Sequence, residues 1–370
     1  MARICIIGGG PAGCAVALAL YAQGQRDIAV FEAGDHSQQR MGESLPPDIA
    51  LMFERLGIQQ AFLAEQHSPC MGSASAWGSD ALGHNDFIAS PHGPGWHLDR
   101  QRFERFLAQQ VRERGLAVHT QTRVQQVQRH AHGGFVLQLQ TRVGQQRLER
   151  AQWVIDASGV QAGVAARLGA RRRMYDQLLA VAGVFMLDAD DDFPQLTLLE
   201  ACEYGWWYAA RLPDRRVLAM VASDAPTLKA LKLDQSPGWL SALASTAHLA
   251  PALAASQWRP QKLAVQLAAS SQLEPCAGAG WIAVGDAACC FDPLSSRGIY
   301  KAFGDAEAAA RAICADPQAH HEPAATLPYR LHQQRQFSDY LQQRAHLYAL
   351  EQRWPQSGFW QRRQAVSAAA

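Results

Sequence analysis

The chain has 370 residues, 48% of them hydrophobic and 18% charged, with a formal net charge of +1. That length exceeds one ordinary core and points to two intimately joined domains. The near-neutral charge offers no footprint for nucleic acid or an acidic membrane, so neither is expected as a partner. The eight cysteines include no CxxC pair and no zinc-like spacing, so no metal is expected, and the vicinal Cys289-Cys290 reads as two small buried residues. No secretory signal is visible, and the apolar run from Cys14 to Leu20 is too short to span a bilayer. A cytoplasmic location is the expectation.

Taken in order, the chain begins with a short apolar strand, Ile4-Cys5-Ile6-Ile7. Gly8-Gly9-Gly10-Pro11-Ala12-Gly13 and an Ala/Leu-rich helix to Ala22 follow at once. This is GxGxxG in its required context, strand before and helix after. Gly8 permits the tight turn, Gly10 lets backbone approach a diphosphate, and Gly13 lets helix and strand pack closely. A second strand, Ile28–Phe31, ends at Glu32, an acid placed to take ribose hydroxyls. These features indicate a dinucleotide. FAD is preferred to NAD because no second glycine fingerprint appears and Asp286 lies in a second strand–turn–helix far downstream. A nicotinamide would then bind transiently, or electrons would arrive from a separate protein.

Arg40–Pro47 (RMGESLPP) reads as a rigid loop before a helix from about Asp48 to Leu56. Residues 68–97 are rich in Gly, Pro, Ser and aromatics and carry His84 and His92, as a substrate-facing insertion or a plain connection would. WHLDR (96–100) leads into a helix through Glu113, with Arg100 at its first turn. Segments near Ala117–His119, Arg123–Gln128 and Gly134–Gln140 read as a small meander. Trp153–Gly159 is a buried strand ending in a turn, and Arg171–Arg173 reads as a solvated charge run. From Tyr175 to Leu273 the pattern is β-rich and aromatic, with a helix over 238–249, and it fits a sheet that walls a pocket. Trp206, Trp207 and Tyr208 serve there as core, pocket wall or both, since alternation sends neighbours to opposite faces. Tyr329 to Gln364 is helical and Arg/Gln-rich, either a packed tail or a docking surface for a partner.

The stretch Trp281–Gly304 (WIAVGDAACCFDPLSSRGIYKAFG) completes the site. It runs from a buried strand to Gly285-Asp286 and on through a turn holding Pro293 and Gly298. A helix then begins at Ile299. Asp286 can accept hydrogen bonds from sugar-like hydroxyls. The free N–H groups near Gly298 and Ile299 can face negative charge on a heteroaromatic ring.

Five motifs in this order, GGGPAG, MGESLPP (41–47), LDRQRFERFL (98–107), VIDASG (154–159) and AVGDAACCFDPLSSRGI (283–299), resemble the flavin-dependent monooxygenase/halogenase superfamily. The resemblance spans residues 1 to about 315. It implies an α/β fold: a Rossmann-like FAD-binding domain of the glutathione-reductase type, an inserted β-rich substrate domain and a helical C-terminal tail. The implied boundaries are 1–45, 98–174 and 274–325 for FAD, 46–97 and 175–273 for substrate, and 326–370 for the tail. The implied FAD set is Gly8, Gly10, Pro11, Ala12, Gly13, Glu32, Ala33, Arg40, Gly42, Glu43, Ser44, Arg100, Val124, Asp156, Gly159, Gly285, Asp286, Pro293, Gly298 and Ile299.

Tryptophan halogenases look like the nearest named group, but the departures speak against halogenation. Their halogen-relaying pocket lysine has no counterpart, since residues 1–228 contain no lysine. Ser295 stands where they have a glutamate, Arg297-Gly298 replaces their Thr-Gly step, and GWWYAARLP (205–213) alters their Trp-x-Trp-x-Ile-Pro motif. SAWGS, NDF, GWHLDR, EYGWWY and EQRWPQSGFW are similar to a branch holding the maturation flavoproteins of lysine ε-oxidase and glycine oxidase. Those helpers serve cysteine tryptophylquinone biogenesis. That resemblance implies a monooxygenase acting on a tryptophan of a quinone-cofactor oxidase precursor. It would use molecular oxygen and take electrons from NAD(P)H or a separate flavin reductase. A small aromatic substrate and a non-oxygenating flavin reductase are the alternatives. His97 is the first candidate for a base near the substrate, with His84 and Glu203 following. Arg297 either adds positive charge beside the flavin or pairs with a carboxylate at the domain interface.

Overall fold

The computed structural model describes residues 3–38, 40–188, 193–258 and 262–365. The chain opens with β1 (Ile4–Ile7), buried throughout, and turns through the glycines into α1 (Pro11–Ala22). It returns along β2 (Ile28–Phe31), parallel to β1. α1 starts on proline, where the missing N–H costs nothing, and is buried along nearly its whole length by small residues. A Cβ on Gly13 would lie 1.8 Å from the Gly8 carbonyl oxygen, so only glycine lets this helix sit so close to its strand. α2 (Arg100–Glu113) is capped by Asp99, whose carboxylate accepts from the Arg102 N–H at 2.9 Å. β3 (Ala117–His119) then adds parallel to β2, and β4 (Trp153–Asp156) lies parallel on the far side of β1.

The meander differs from its sequence reading. Ala117–His119 belongs to the parallel sheet, because the helix α2 carries the chain back as a crossover beside β2. The antiparallel triplet is Thr122–Arg129, Phe135–Thr141 and Gln146–Ala151. Arg171–Arg173 is likewise more than a charge run. It forms a strand against Ser271–Glu274. Arg172 there donates to the carbonyls of Asp286 and Ala287 at 2.9 and 2.8 Å.

The second sheet is built on β5 (Leu178–Met186), β6 (Thr197–Cys202), β7 (Gly205–Leu212), β8 (Arg216–Asp224) and β9 (Ala264–Leu267). β8 lies between β5 and β7, and β6 follows β7. Gly72–Ala76 extends it parallel to β6. Both faces are covered. Trp207 packs with Trp239 and Trp258 under the short helices of residues 236–252. Trp206 and Tyr208 point the opposite way, with Leu218 and Met220. Alternation along β7 therefore separates core tryptophan from pocket tyrosine.

The chain then re-enters the first sheet as β10 (Trp281–Ala283), parallel to β4, and continues as α3 (Gly298–Ala315). A fully buried pair holds the two together. Lys301 Nζ donates to Asp305 Oδ2 at 2.8 Å and to the Gly285 carbonyl at 2.9 Å, and Asp305 accepts from the Gly285 N–H at 3.0 Å. α4 (Leu327–Leu350) and α5 (Gly358–Ala365) close the molecule. Tyr348, Phe359 and Trp360 pack on the same sheet face as Trp206, and Arg362 and Arg363 both reach the Asp224 carboxylate. Trp360 is fully buried, so this part of the tail packs against the body. No described helix is long and apolar enough to cross a membrane, and all eight cysteines are free thiols.

Candidate active site

A cavity of about 540 Å³ runs between the two sheets. One end is walled by the fingerprint turn and by Glu32, Ala33, Arg40 and Arg100. The other end is floored by Ala180, Tyr208, Leu218, Met220 and Gln266 from the second sheet. Asp286, Pro293, Arg297, Gly298 and Ile299 line it from the β10–α3 connection, and Val124 and Gly159 from the side.

A flavin dinucleotide suits this lining on three counts. First, α1 and α3 both begin without a side-chain cap, leaving first-turn N–H groups for a ligand. Second, a Cβ on Gly10 would meet only Arg40 Nη1, at 3.9 Å, so the missing side chain leaves the backbone open to the cavity. Third, Arg100 Nε is buried without a protein partner, while its other nitrogens bind the Met41 and Gly42 carbonyls and Glu104. An acceptor such as a phosphate would satisfy it. Glu32 is held by the Gly9 and Gly34 N–H groups at 2.7 and 2.6 Å. Each of those oxygens keeps a further lone pair.

At the junction of the two ends lies a polar cluster in apolar surroundings. Ser44 Oγ and the Tyr208 hydroxyl are 2.7 Å apart, and the buried Glu43 carboxylate accepts from the Gly42 N–H at 3.0 Å. Burial raises the pKa of Glu43, opposed by its hydrogen bond to Tyr208. Burial, and next the Glu43 charge, push Tyr208 well above its ordinary value. On the opposite wall, Asp292 accepts from the Tyr348 hydroxyl at 2.7 Å and from the Leu294 N–H at 3.0 Å, while its own N–H donates to the Tyr340 hydroxyl. Phe291 stacks flat on Tyr340, with ring centroids 3.9 Å apart. The helix α4 thus fixes the loop that bears Pro293 and Arg297.

Three of the expected cofactor residues stand behind the cavity rather than on its wall. Gly13 and Gly285 are packing positions: Gly285 has φ +61, and a Cβ there would lie 2.7 Å from Ala12 Cβ. Asp156 is fully buried and accepts from the N–H groups of Ser158, Val164 and Ala165. It shapes the loop that carries Gly159.

The candidate bases fall elsewhere. His97 is fully buried, with its ring nitrogens 3.1 Å from the Arg211 carbonyl and 3.0 Å from Thr197 Oγ1, and burial lowers its pKa to about 4. It ties the small sheet of residues 44–45, 68–70 and 95–97 to the large one and does not line the cavity. Glu203 is exposed in the β6–β7 turn, and His84 is exposed on an edge strand. Arg297 does line the cavity. Sequence reasoning misses Thr122, Arg123, Gln161, Arg167 and Gln266 in the lining. The signal for Thr122 is alternation in the 122–129 strand, which puts it on the same face as Val124.

Comparison with known proteins agrees with this architecture. The tryptophan halogenase family matches residues 3–81 and 79–369. The putative FAD-dependent oxidoreductase LodB of Marinomonas mediterranea is 33% identical over 364 residues, covering 98% of this chain and 97% of LodB. Among solved structures, the flavin-dependent halogenase CmlS superposes with a TM-score of 0.87 at 26% identity, over 98% of this chain and 67% of that one. QhpG, described as a peptidyl tryptophan dihydroxylase essential for tryptophylquinone cofactor biogenesis, superposes with a TM-score of 0.75. Its identity is 26%, over 98% of this chain and 78% of QhpG. With matches running nearly end to end, the chain belongs to the tryptophan halogenase family of FAD-dependent oxidoreductases.

Proposed function

We propose that the protein is an FAD-dependent monooxygenase that oxygenates a tryptophan of a partner polypeptide, a quinone-cofactor oxidase precursor, during tryptophylquinone maturation. The observation that carries this reading is the division of the cavity. Its nucleotide end opens onto an apolar floor with one hydroxyl–carboxyl cluster and no lysine among the described lining residues. The likenesses to LodB and to a peptidyl tryptophan dihydroxylase, each over 98% of this chain, support it.

Reduced FAD, when bound, supplies the activation of molecular oxygen. The remaining work falls to the chain. The first-turn N–H groups of α1 and Arg100 hold the diphosphate, and Glu32 and Asp286 accept from hydroxyls. The start of α3, with Arg297, would supply positive potential to the bound flavin's ring system. Ala180, Leu218 and Met220 keep water from the aromatic substrate. The Tyr208 hydroxyl, backed by Ser44 and Glu43, can hold or move a proton where the substrate meets the cofactor. Electrons come from NAD(P)H, directly or through a separate flavin reductase.

The test is peptide mass spectrometry of the oxidase precursor incubated with the reduced holoprotein under isotopically labelled oxygen. Label on one precursor tryptophan is the expected result. Label only on free indoles or phenols would move the assignment to small-molecule hydroxylation, and no label at all would remove oxygenation altogether.

A further inference from the structure

We propose that the open edge of β9 is the docking rail for the substrate polypeptide, which adds to the second sheet as an extended strand. This inference rests on the reading that the substrate is a polypeptide.

β9 and the Ser271–Glu274 strand form one side of a continuous antiparallel ribbon, paired with β5 and Arg171–Met174. On its other side the ribbon is paired at Ser271 and Gln272 by Cys290 and Cys289. Further along that same side, at Ala264–Leu267, no described strand is paired with it. The chain beyond Cys290 becomes Phe291–Pro293, the cavity wall. A strand laid on the open edge would therefore run in line with Cys289-Cys290 and past the cavity.

The register says which groups it would find. The Ala268 N–H donates to the Leu178 carbonyl directly opposite, so the hydrogen-bonded pairs with β5 are 268, 266 and 264. The backbone groups of Val265 and Leu267 then point outward. Both side chains are also exposed, Val265 by 53% and Leu267 by 43%. Between them Gln266 turns to the opposite face and lines the cavity. A residue of an added strand directly opposite Gln266 shares its face, about 5 Å away, and would send its side chain into the cavity. The geometry thus assigns the target tryptophan to that position, with its backbone held by Val265 and Leu267 on either side. An exposed apolar edge is ordinarily guarded by a charge, a proline or a bulge. Ala-Val-Gln-Leu carries none of these, as a strand meant to be paired would not.

The test uses the full-length holoprotein and the unmodified oxidase precursor. Val265→Pro removes one outward N–H and leaves the inward ladder intact. Leu267→Lys places a charge on the same edge and guards against a Val265→Pro variant that fails to fold. Each is expected to weaken precursor binding at least tenfold while the variant still modifies free indole. Hydrogen exchange at residues 264–267 is expected to slow when the precursor binds the parent protein. If the parent oxygenates the precursor but both variants bind it as well as the parent, or exchange at 264–267 does not change, the edge is not the rail. If the parent leaves the precursor unoxygenated, the polypeptide-substrate reading itself fails, and the rail with it.

Discussion

Glu43 is the buried carboxylate around which the cavity's polar cluster is built. It sits where the cavity's two ends meet, buried beside Tyr208 and held by the Gly42 N–H. Burial favours its neutral form, so the folded protein binds this proton more tightly than the unfolded chain does. Relative to a neutral isostere, the native state is not penalised below the ordinary carboxyl value of 4.5 and loses stability as pH rises through the raised value. Glu43→Gln keeps the shape and removes the ionisation. The flavin-free variant is therefore expected to melt with the parent at acid pH. At about pH 7 it should melt higher, by the equivalent of about 1 kcal/mol, the usual scale for a buried polar group only partly compensated. Thermal melts across that range measure the gap, and a gap that narrows with rising pH would contradict the assignment. His97 carries the opposite lesson. Its closeness to Arg100 in the chain suggests a base, yet its ring is spent on Thr197 and Arg211.

Among the elements, the two strand–turn–helix units make different demands on their glycines, and this separates packing from binding. Gly13→Ala would drive a methyl to 1.8 Å from a backbone oxygen, and it is expected to cost well over about 3 kcal/mol or to abolish folding. Gly10→Ala meets nothing closer than 3.9 Å. It should leave the flavin-free melting temperature nearly unchanged yet weaken FAD at least tenfold in a fluorescence titration. Equal FAD affinity would place the diphosphate elsewhere. At the other unit, Lys301→Met would strand Asp305 beneath the Gly285 turn. Breaking such a buried pair costs about 3–5 kcal/mol, read by denaturant unfolding, and a double change with Asp305→Leu should recover part of it. These units are legible in the sequence because each is local: a buried strand, a glycine turn and a helix start within one short window. Glu203 misleads for the complementary reason. The Glu-Tyr-Gly step is hairpin chemistry: a Cβ on Gly205 would fall 2.0 Å from the Ala222 carbonyl oxygen. The roles of His97, Asp156 and Ala117–His119 depend on pairings between segments far apart in the chain, which no local pattern encodes.

At the scale of the whole molecule, the question is which of the family's reactions this architecture permits. The flavin-dependent halogenase CmlS is similar in fold, and the resemblance to tryptophan halogenases implies a relay through an ammonium group inside the substrate end. Three of the four lysines here, Lys229, Lys232 and Lys262, are exposed on the surface, and none of them lines the cavity. Lys301 is buried, but it faces Asp305 and the Gly285 carbonyl behind the cofactor wall. Burial alone would lower its pKa, yet Asp305 and the neighbouring acids hold it above the ordinary value. It is therefore a charged strut and has no free lone pair to carry a halogen. The floor offers an aromatic substrate the Tyr208 hydroxyl and aliphatic contacts instead. Reduced holoprotein supplied with oxygen, an indole substrate and excess bromide is accordingly expected to give oxygenated product with no brominated species. The paired isotopes of bromine make this distinction sharp in a mass spectrum. A bromoindole appearing only with the active protein would show that halide can be activated without a lysine in the cavity, and the proton-handling role assigned to Tyr208 and Glu43 would have to be reconsidered with it.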